Sequence, residues 1–202
     1  MRLLTVGHGT ADRDEFAALL RDAAVAGGPG QSDAVAGGPG QFSGVETLVD
    51  VRTAPGSRRF PHFSRTELAD WLPAEGISYQ WERDLGGFRK PSPDSPNTAL
   101  RNPSFRGYAD YMSTDQFRTA LDRVLACASD QVTTIMCAET LWWRCHRRLI
   151  ADFATLVRGA EVLHLGHDGR LTAHELTSGV RRGSGDTLRY DGGQATLLGA
   201  DV

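Results

Sequence analysis

The chain has 202 residues, a formal net charge of −3 and 40% hydrophobic residues. That length builds a single domain with a real core, and the balance excludes a chain disordered throughout. A pI near 6.1 excludes a uniformly basic nucleic-acid binder. Of 22 basic residues, 21 are arginine and Lys90 is the one lysine. GC-rich coding explains most of that ratio; the functional alternative is that some arginine forks grip phosphate or carboxylate, which lysine does not do bidentately. Three cysteines are too few for a secreted disulfide framework. The N-terminal apolar run is too short for a signal peptide, and no stretch approaches the roughly 20 apolar residues of a membrane span. The expectation is a cytoplasmic chain with reduced thiols and no membrane partner.

In chain order, Leu3, Leu4, Thr5 and Val6 form a short buried strand ending at Gly7-His8-Gly9. Residues 14–23 form a helix with Phe16, Leu19 and Leu20 on one face. AVAGGPGQ occurs at 24–31 and again at 34–41, so 24–44 is read as a duplicated flexible insert. A second strand runs over 45–51, and 58–64 is loop. Ser64 followed by Glu67 caps a helix to about Glu75, stopped by Gly76. Strands over 77–81, 132–136 and 161–165 and helices over 108–126 and 139–157 complete the pattern. Between them, residues 85–103 form a Pro/Gly/Asn-rich loop of functional length. This alternation predicts an α/β fold: an open, mostly parallel sheet of about five strands with helices on both faces. Residues 1–165 make the domain, and 166–202 a short β-rich C-terminal extension. The tail-end histidines His164, His167 and His174 are expected at the surface.

Sites in such sheets form at the carboxyl ends of strands. Here those ends carry His8, then Asp50 and Arg52, then Gly86-Gly87, then Cys137 and Glu139. A cysteine between a strand and a helix lies where amide dipoles lower a thiol pKa. Cys137 is therefore read as a nucleophile, with two alternatives open: amides that hold an anionic ligand, or a buried structural thiol. Phosphatases and rhodaneses use a comparable layout, but six residues separate Cys137 from Arg144 where the phosphatase loop has five. Trp142, Cys145, Leu149, Phe153 and Leu156 fall on one helical stripe. That makes Cys145 a small core residue and turns Arg144, Arg147 and Arg148 away from the stripe. His146 is either a core histidine or a proton carrier near Cys137. A zinc site on Cys137, Cys145 and His146, with His8, is disfavoured because neighbours on a regular helix would not aim at one ion; no metal and no cofactor is assigned.

Two more clusters suit an anion bearing a flat ring. Residues 50–63 bring Asp50, Arg52, Ser57, Arg58, Arg59 and two phenylalanines onto one loop. The alternatives are a solvated basic loop pinned by Phe60 and Phe63, and an Asp50 that merely orients Arg52. Residues 101–112 add Arg101, Asn102, Arg106 and Tyr108 near a helix start, with Tyr108, Tyr111 and Met112 at core spacing.

These segments together make the chain similar to a known family. Thr5-Val6-Gly7-His8-Gly9, Leu48-Val49-Asp50-Val51-Arg52, Ser57-Arg58-Arg59, Pro61-His62-Phe63, Leu85-Gly86-Gly87, residues 102–112, Met136-Cys137-Ala138-Glu139 and Arg144-Cys145-His146-Arg147 resemble the Domain of Unknown Function 488 family over most of residues 3–165. The resemblance implies a domain type and site positions, and no reaction. It makes Cys137-Ala138-Glu139 and Cys145-His146-Arg147 the family's hallmark.

The favoured expectation is an enzyme acting on a phosphate-bearing or nucleotide-like small molecule. Cys137, Glu139 and His146 would be catalytic, and His8, Asp50, Arg52, Ser57, Arg58, Arg59, Asn102, Arg106, Tyr108 and Arg144 would bind substrate. The alternative is a nucleotide or nucleic-acid binding module without catalysis. Residues 52–106 hold nine basic and six acidic side chains, which favours a small anion over a long duplex. A regulatory domain with a vestigial pocket is the third reading.

Overall fold

The computed structural model describes residues 1–23 and 44–192; the duplicated insert thus lies almost wholly outside the described residues. Among the described residues eight strands form: β1 (Arg2–Gly7), β2 (Thr47–Asp50), β3 (Ser78–Trp81), β4 (Thr133–Cys137), β5 (Glu161–Leu165), β6 (Leu171–Ala173), β7 (Val180–Arg182) and β8 (Leu188–Tyr190). The main sheet has six strands in the order β3-β2-β4-β1-β5-β6. Its first five members run parallel, and β6 adds antiparallel to β5. The fold is α/β, as expected, with one more sheet strand than the sequence suggested. β7 and β8 pair as a separate antiparallel hairpin.

Side chains alternate across the sheet, so each central strand feeds two cores. Leu3, Val49, Val51 and Ile135 pack against α3 (Pro103–Tyr111), α4 (Asp115–Asp130) and α5 (Arg147–Leu156). Leu4, Val6, Leu48 and Met136 face the other way, against α1 (Arg13–Arg21) and α2 (Arg65–Ala74). The capping signals have local physical force. Asp12 and Glu15 exchange both bonds of a capping box at the start of α1. Ser64 accepts from the Glu67 amide, and Gly76 takes a φ of +77° to end α2.

Two long helices of the sequence reading are broken. The helix expected over 108–126 is two. Asn102 caps α3 with Pro103 at its first position, and Thr114 caps α4 by accepting from the Phe117 amide. The helix expected over 139–157 starts only at Arg147. Residues 138–146 are a loop containing one 3-10 turn, Trp142–Arg144. The reason is Arg147, which is buried at 1% exposure rather than turned outward. Its guanidinium takes the carbonyls of Glu139 and Thr140, which a continuous helix would need for its own ladder.

The histidines correct a second expectation. His167 is exposed, but His164 is buried, and the His174 side chain is 1% exposed. Thr5 Oγ1 contacts His164 Nδ1 (2.7 Å), His164 Nε2 contacts His174 Nδ1 (3.0 Å), and His174 Nε2 meets Asp152 Oδ1 (2.9 Å). Tyr190 donates to the other Asp152 oxygen at 2.9 Å. This buried chain ties the strands after β5 to α5.

Candidate functional site

Parallel pairing aligns three strand ends. Gly7 of β1 sits beside Cys137 of β4, and Asp50 of β2 beside Met136. The ladder continues one step past the strands, with the His8 amide donating to the Cys137 carbonyl and the Val51 amide to Met136. The segments leaving β1, β2 and β4 therefore meet at one edge of the sheet. There a cavity of about 600 Å³ opens. It is lined by His8, Arg52, Ser57, Asn102, Tyr108, Cys137, Glu139, Arg144 and His146, nine of the thirteen candidate residues. Phe60, Phe88, Phe105 and Cys145 line it too.

Three groups crowd its floor. The ligand atoms of Cys137, Cys145 and His146 all lie within 4.8 Å of one another. His146 Nδ1 is 3.8 Å from Cys137 Sγ and 3.6 Å from Cys145 Sγ. The opposite ring nitrogen, Nε2, is 3.0 Å from the Val51 carbonyl, which only accepts, so Nε2 carries the proton. Gly87 allows the ring this close: a Cβ there would stand 3.1 Å from Nδ1. The His146 and Tyr108 ring centres are 5.1 Å apart, and Tyr108 itself is pinned by donating to the Leu85 carbonyl. Burial, foremost, holds the Tyr108 phenol well above its usual range.

Cys145 is a buried core residue, as its spacing suggests, but it precedes α5 rather than lying in it, and it also lines the cavity. For Cys137, the hydrogen bond with Cys145 and then burial push the thiol well above the usual range. Burial also raises Cys145, yet the Cys137 bond, His146 and the Arg147 charge outweigh it and leave that thiol well below the usual range. Cys137, expected as a nucleophile or a buried structural thiol, is buried in the core with a second sulfur, Cys145, close beside it. Nor does a helix begin beside Cys137, so the helix-dipole support expected for its thiolate is absent there; α5 begins only at Arg147.

Asp50 and Arg52 are buried at 0% and 7% exposure. Arg52 gives Nε and Nη2 to the Asp50 carboxylate (2.8 and 2.6 Å), Nη2 also to the Phe63 carbonyl (2.7 Å), and Nη1 to His8 Nε2 (3.3 Å). Four of its five N–H bonds are committed and its charge is neutralised, so it is foremost a strut. Asp50 does not line the cavity; it holds Arg52. His8 Nδ1 donates to the Gly9 carbonyl (3.0 Å) and the ring stacks on Phe63 at 4.1 Å. Burial and then the Arg52 charge lower its pKa to about 4, which keeps it neutral.

The basic ring around the pocket is thinner than expected. Arg58 and Arg59 are exposed and outside the lining, with Arg59 lying over the Phe60 ring. Arg106 is turned to the Leu100 carbonyl. Arg144 is exposed in the lining and makes no ion pair among the described residues. Glu139 is likewise exposed in the lining, and its carboxylate has no partner among the described residues. Ser57 accepts from the Phe60 amide and Asn102 from the Ser104 amide, so both shape loops.

Sequence reasoning missed Phe88 and Phe105 as well as Cys145. Phe88 is 90% exposed at a φ of +61°, a left-handed conformation costly for an aromatic residue. Its position directly after Gly86-Gly87 was the available signal.

The family model described as "Domain of unknown function DUF488" matches residues 32–154. That span holds the β2, β4, Cys137, Cys145 and His146 segments; Thr5 to Gly9 precede it. No curated protein and no solved structure matches the chain. Among the described residues, no helix is long and apolar enough to cross a membrane.

Proposed function

The chain belongs to the DUF488 family, and on that premise we propose that it is an enzyme acting on a small phosphate-bearing or nucleotide-like molecule in the strand-end cavity. The observation that carries this is the lining itself: a Cys–Cys–His floor under a pocket whose wall is aromatic and whose free charges are Arg144 and Glu139. A flat ring stacks among Phe60, Phe88 and Phe105. The anionic end reaches Arg144, among the described residues the one lining arginine not already neutralised. The sulfur pair with His146 is the reacting centre, and Glu139 handles protons at the mouth. The small cationic excess favours a compact anion rather than a nucleic-acid strand.

The test incubates the full chain with nucleosides, nucleoside phosphates and simple phosphate esters, and follows both heat of binding and product formation. Saturable binding of a phosphate-bearing compound with turnover, lost in Cys145→Ser and slowed in Glu139→Gln, is the expected result. Binding without turnover of any compound would leave a nucleotide-binding module and overturn the enzymatic reading.

A further inference from the structure

We propose that Cys137, Cys145 and His146 hold a zinc ion whose fourth coordination position opens into the cavity. The obstacle in the sequence, two adjacent ligands on one helix, is absent because Cys145 and His146 precede α5. A tetrahedral zinc with Zn–S of about 2.3 Å and Zn–N of about 2.0–2.1 Å sets S···N at about 3.5 Å and S···S at about 3.8 Å. The observed S···N separations are 3.8 and 3.6 Å, and the three atoms lie within 4.8 Å. An ion is seated by a contraction of at most about 0.3 Å in the S···N distances and at most about 1 Å between the sulfurs.

The orientation of His146 is a second, independent observation. Its Nε2–H is spent on the Val51 carbonyl at 3.0 Å, which aims Nδ1 at the two sulfurs. A ligand histidine fixed through its other nitrogen by a backbone carbonyl is the usual outer-shell arrangement of metal sites. Gly87 and Tyr108 hold the ring in that pose. Two thiolates and one imidazole select zinc among the common divalent ions. Three protein ligands, with the remaining face toward a cavity, are the pattern of a catalytic rather than a structural ion.

Arg147 bears on what the fourth ligand is. Its charge is buried at 1% exposure, and among the described residues its Nε has no partner and its hydrogen bonds go to carbonyls and to Thr5 Oγ1 rather than to a carboxylate. Zinc with two thiolates is neutral, so the buried cation favours an anionic fourth ligand: hydroxide, or an oxygen of the phosphate-bearing substrate. Only this last assignment rests on the proposed function.

The full chain, purified under a phosphine reductant from zinc-supplemented cells, is analysed for metal, stripped, and titrated with Zn²⁺ and Co²⁺. The expected result is one zinc per chain and a cobalt spectrum with thiolate charge transfer and tetrahedral ligand-field bands. Both are lost in Cys145→Ser and in His146→Ala, and both are kept in Cys127→Ser. Reduced wild-type chain without stoichiometric zinc and without a thiolate–cobalt band overturns the proposal, as does a band that survives in the Cys145→Ser/His146→Ala double variant. Nucleoside-phosphate binding and turnover by a chain that takes up no zinc would refute the metal alone. Zinc uptake without any binding of phosphate-bearing compounds would refute the proposed function alone.

Discussion

At the scale of single residues, the place where a Gly7 side chain would stand is taken by the Glu139 carbonyl, with Arg147 Nη2 2.7 Å from it. A Gly7→Ala chain must push the 138–146 loop off the sheet or displace Arg147. Overpacking of this kind costs about 1–3 kcal/mol. The expected result is a lowered Tm together with weakened ligand binding, and a wild-type Tm would contradict it. The neutral histidines give a second prediction. Burial, then Arg52, holds His8 to about 4, and burial, then His174, holds His164 to about 3, against an ordinary 6.5. Between pH 6.5 and those values the unfolded chain binds more protons than the native one, so stability falls as pH falls. Each group removes roughly 2 kcal/mol by about pH 5. The urea midpoint of wild type is expected to drop between about pH 7 and about pH 5 by more than that of His8→Asn; equal slopes would contradict it.

At the scale of elements, the decisive one is the segment between β4 and α5. The sequence places Trp142, Cys145, Leu149 and Phe153 at helical intervals, and nothing local announces a loop there. The break comes from the buried Arg147 guanidinium, seven and eight residues from the carbonyls it takes, and from Gly7, far off in sequence, which leaves room for the Glu139 carbonyl; neither shows in the periodicity that put Cys145 on a helical stripe. The strands were readable because their period is local: Leu3 and Leu4, or Ile135 and Met136, serve opposite cores. The caps at Asp12, Ser64 and Asn102 were equally local, though only Ser64 was recognised. The tail histidines were unreadable because their partners, Thr5 and Asp152, come from other elements. The same network supports a prediction. Tyr190→Phe removes the phenol that joins β8 to Asp152 of α5 and should cost about 1–3 kcal/mol. Amide exchange in β7 and β8 is expected to quicken while β1 and β4 stay protected. Unchanged exchange in the hairpin would show that Asp152 does not anchor it.

At the scale of the whole molecule, parallel order decides which residues can act together. The adjacency β2-β4-β1 brings Asp50, Cys137 and His8 to one edge, and that much is legible once sites are known to gather at strand ends. Which arginines reach the cavity is not legible, because hydrogen bonding and solvent exposure sort them. Arg52 is spent on Asp50 and Phe63, Arg106 on Leu100, and Arg58 and Arg59 face water; under the proposed function that leaves Arg144 as the anion contact. A charge-assisted hydrogen bond is worth about 1.5–3 kcal/mol, or roughly tenfold or more in affinity. The most direct measurement is isothermal titration of the full chain and of Arg144→Ala with a nucleoside monophosphate and with the matching nucleoside. The account predicts saturable binding of the phosphate form, weakened at least about tenfold by Arg144→Ala, with the nucleoside binding of both chains alike. Phosphate-form binding unchanged by Arg144→Ala, or no binding at all, would contradict it.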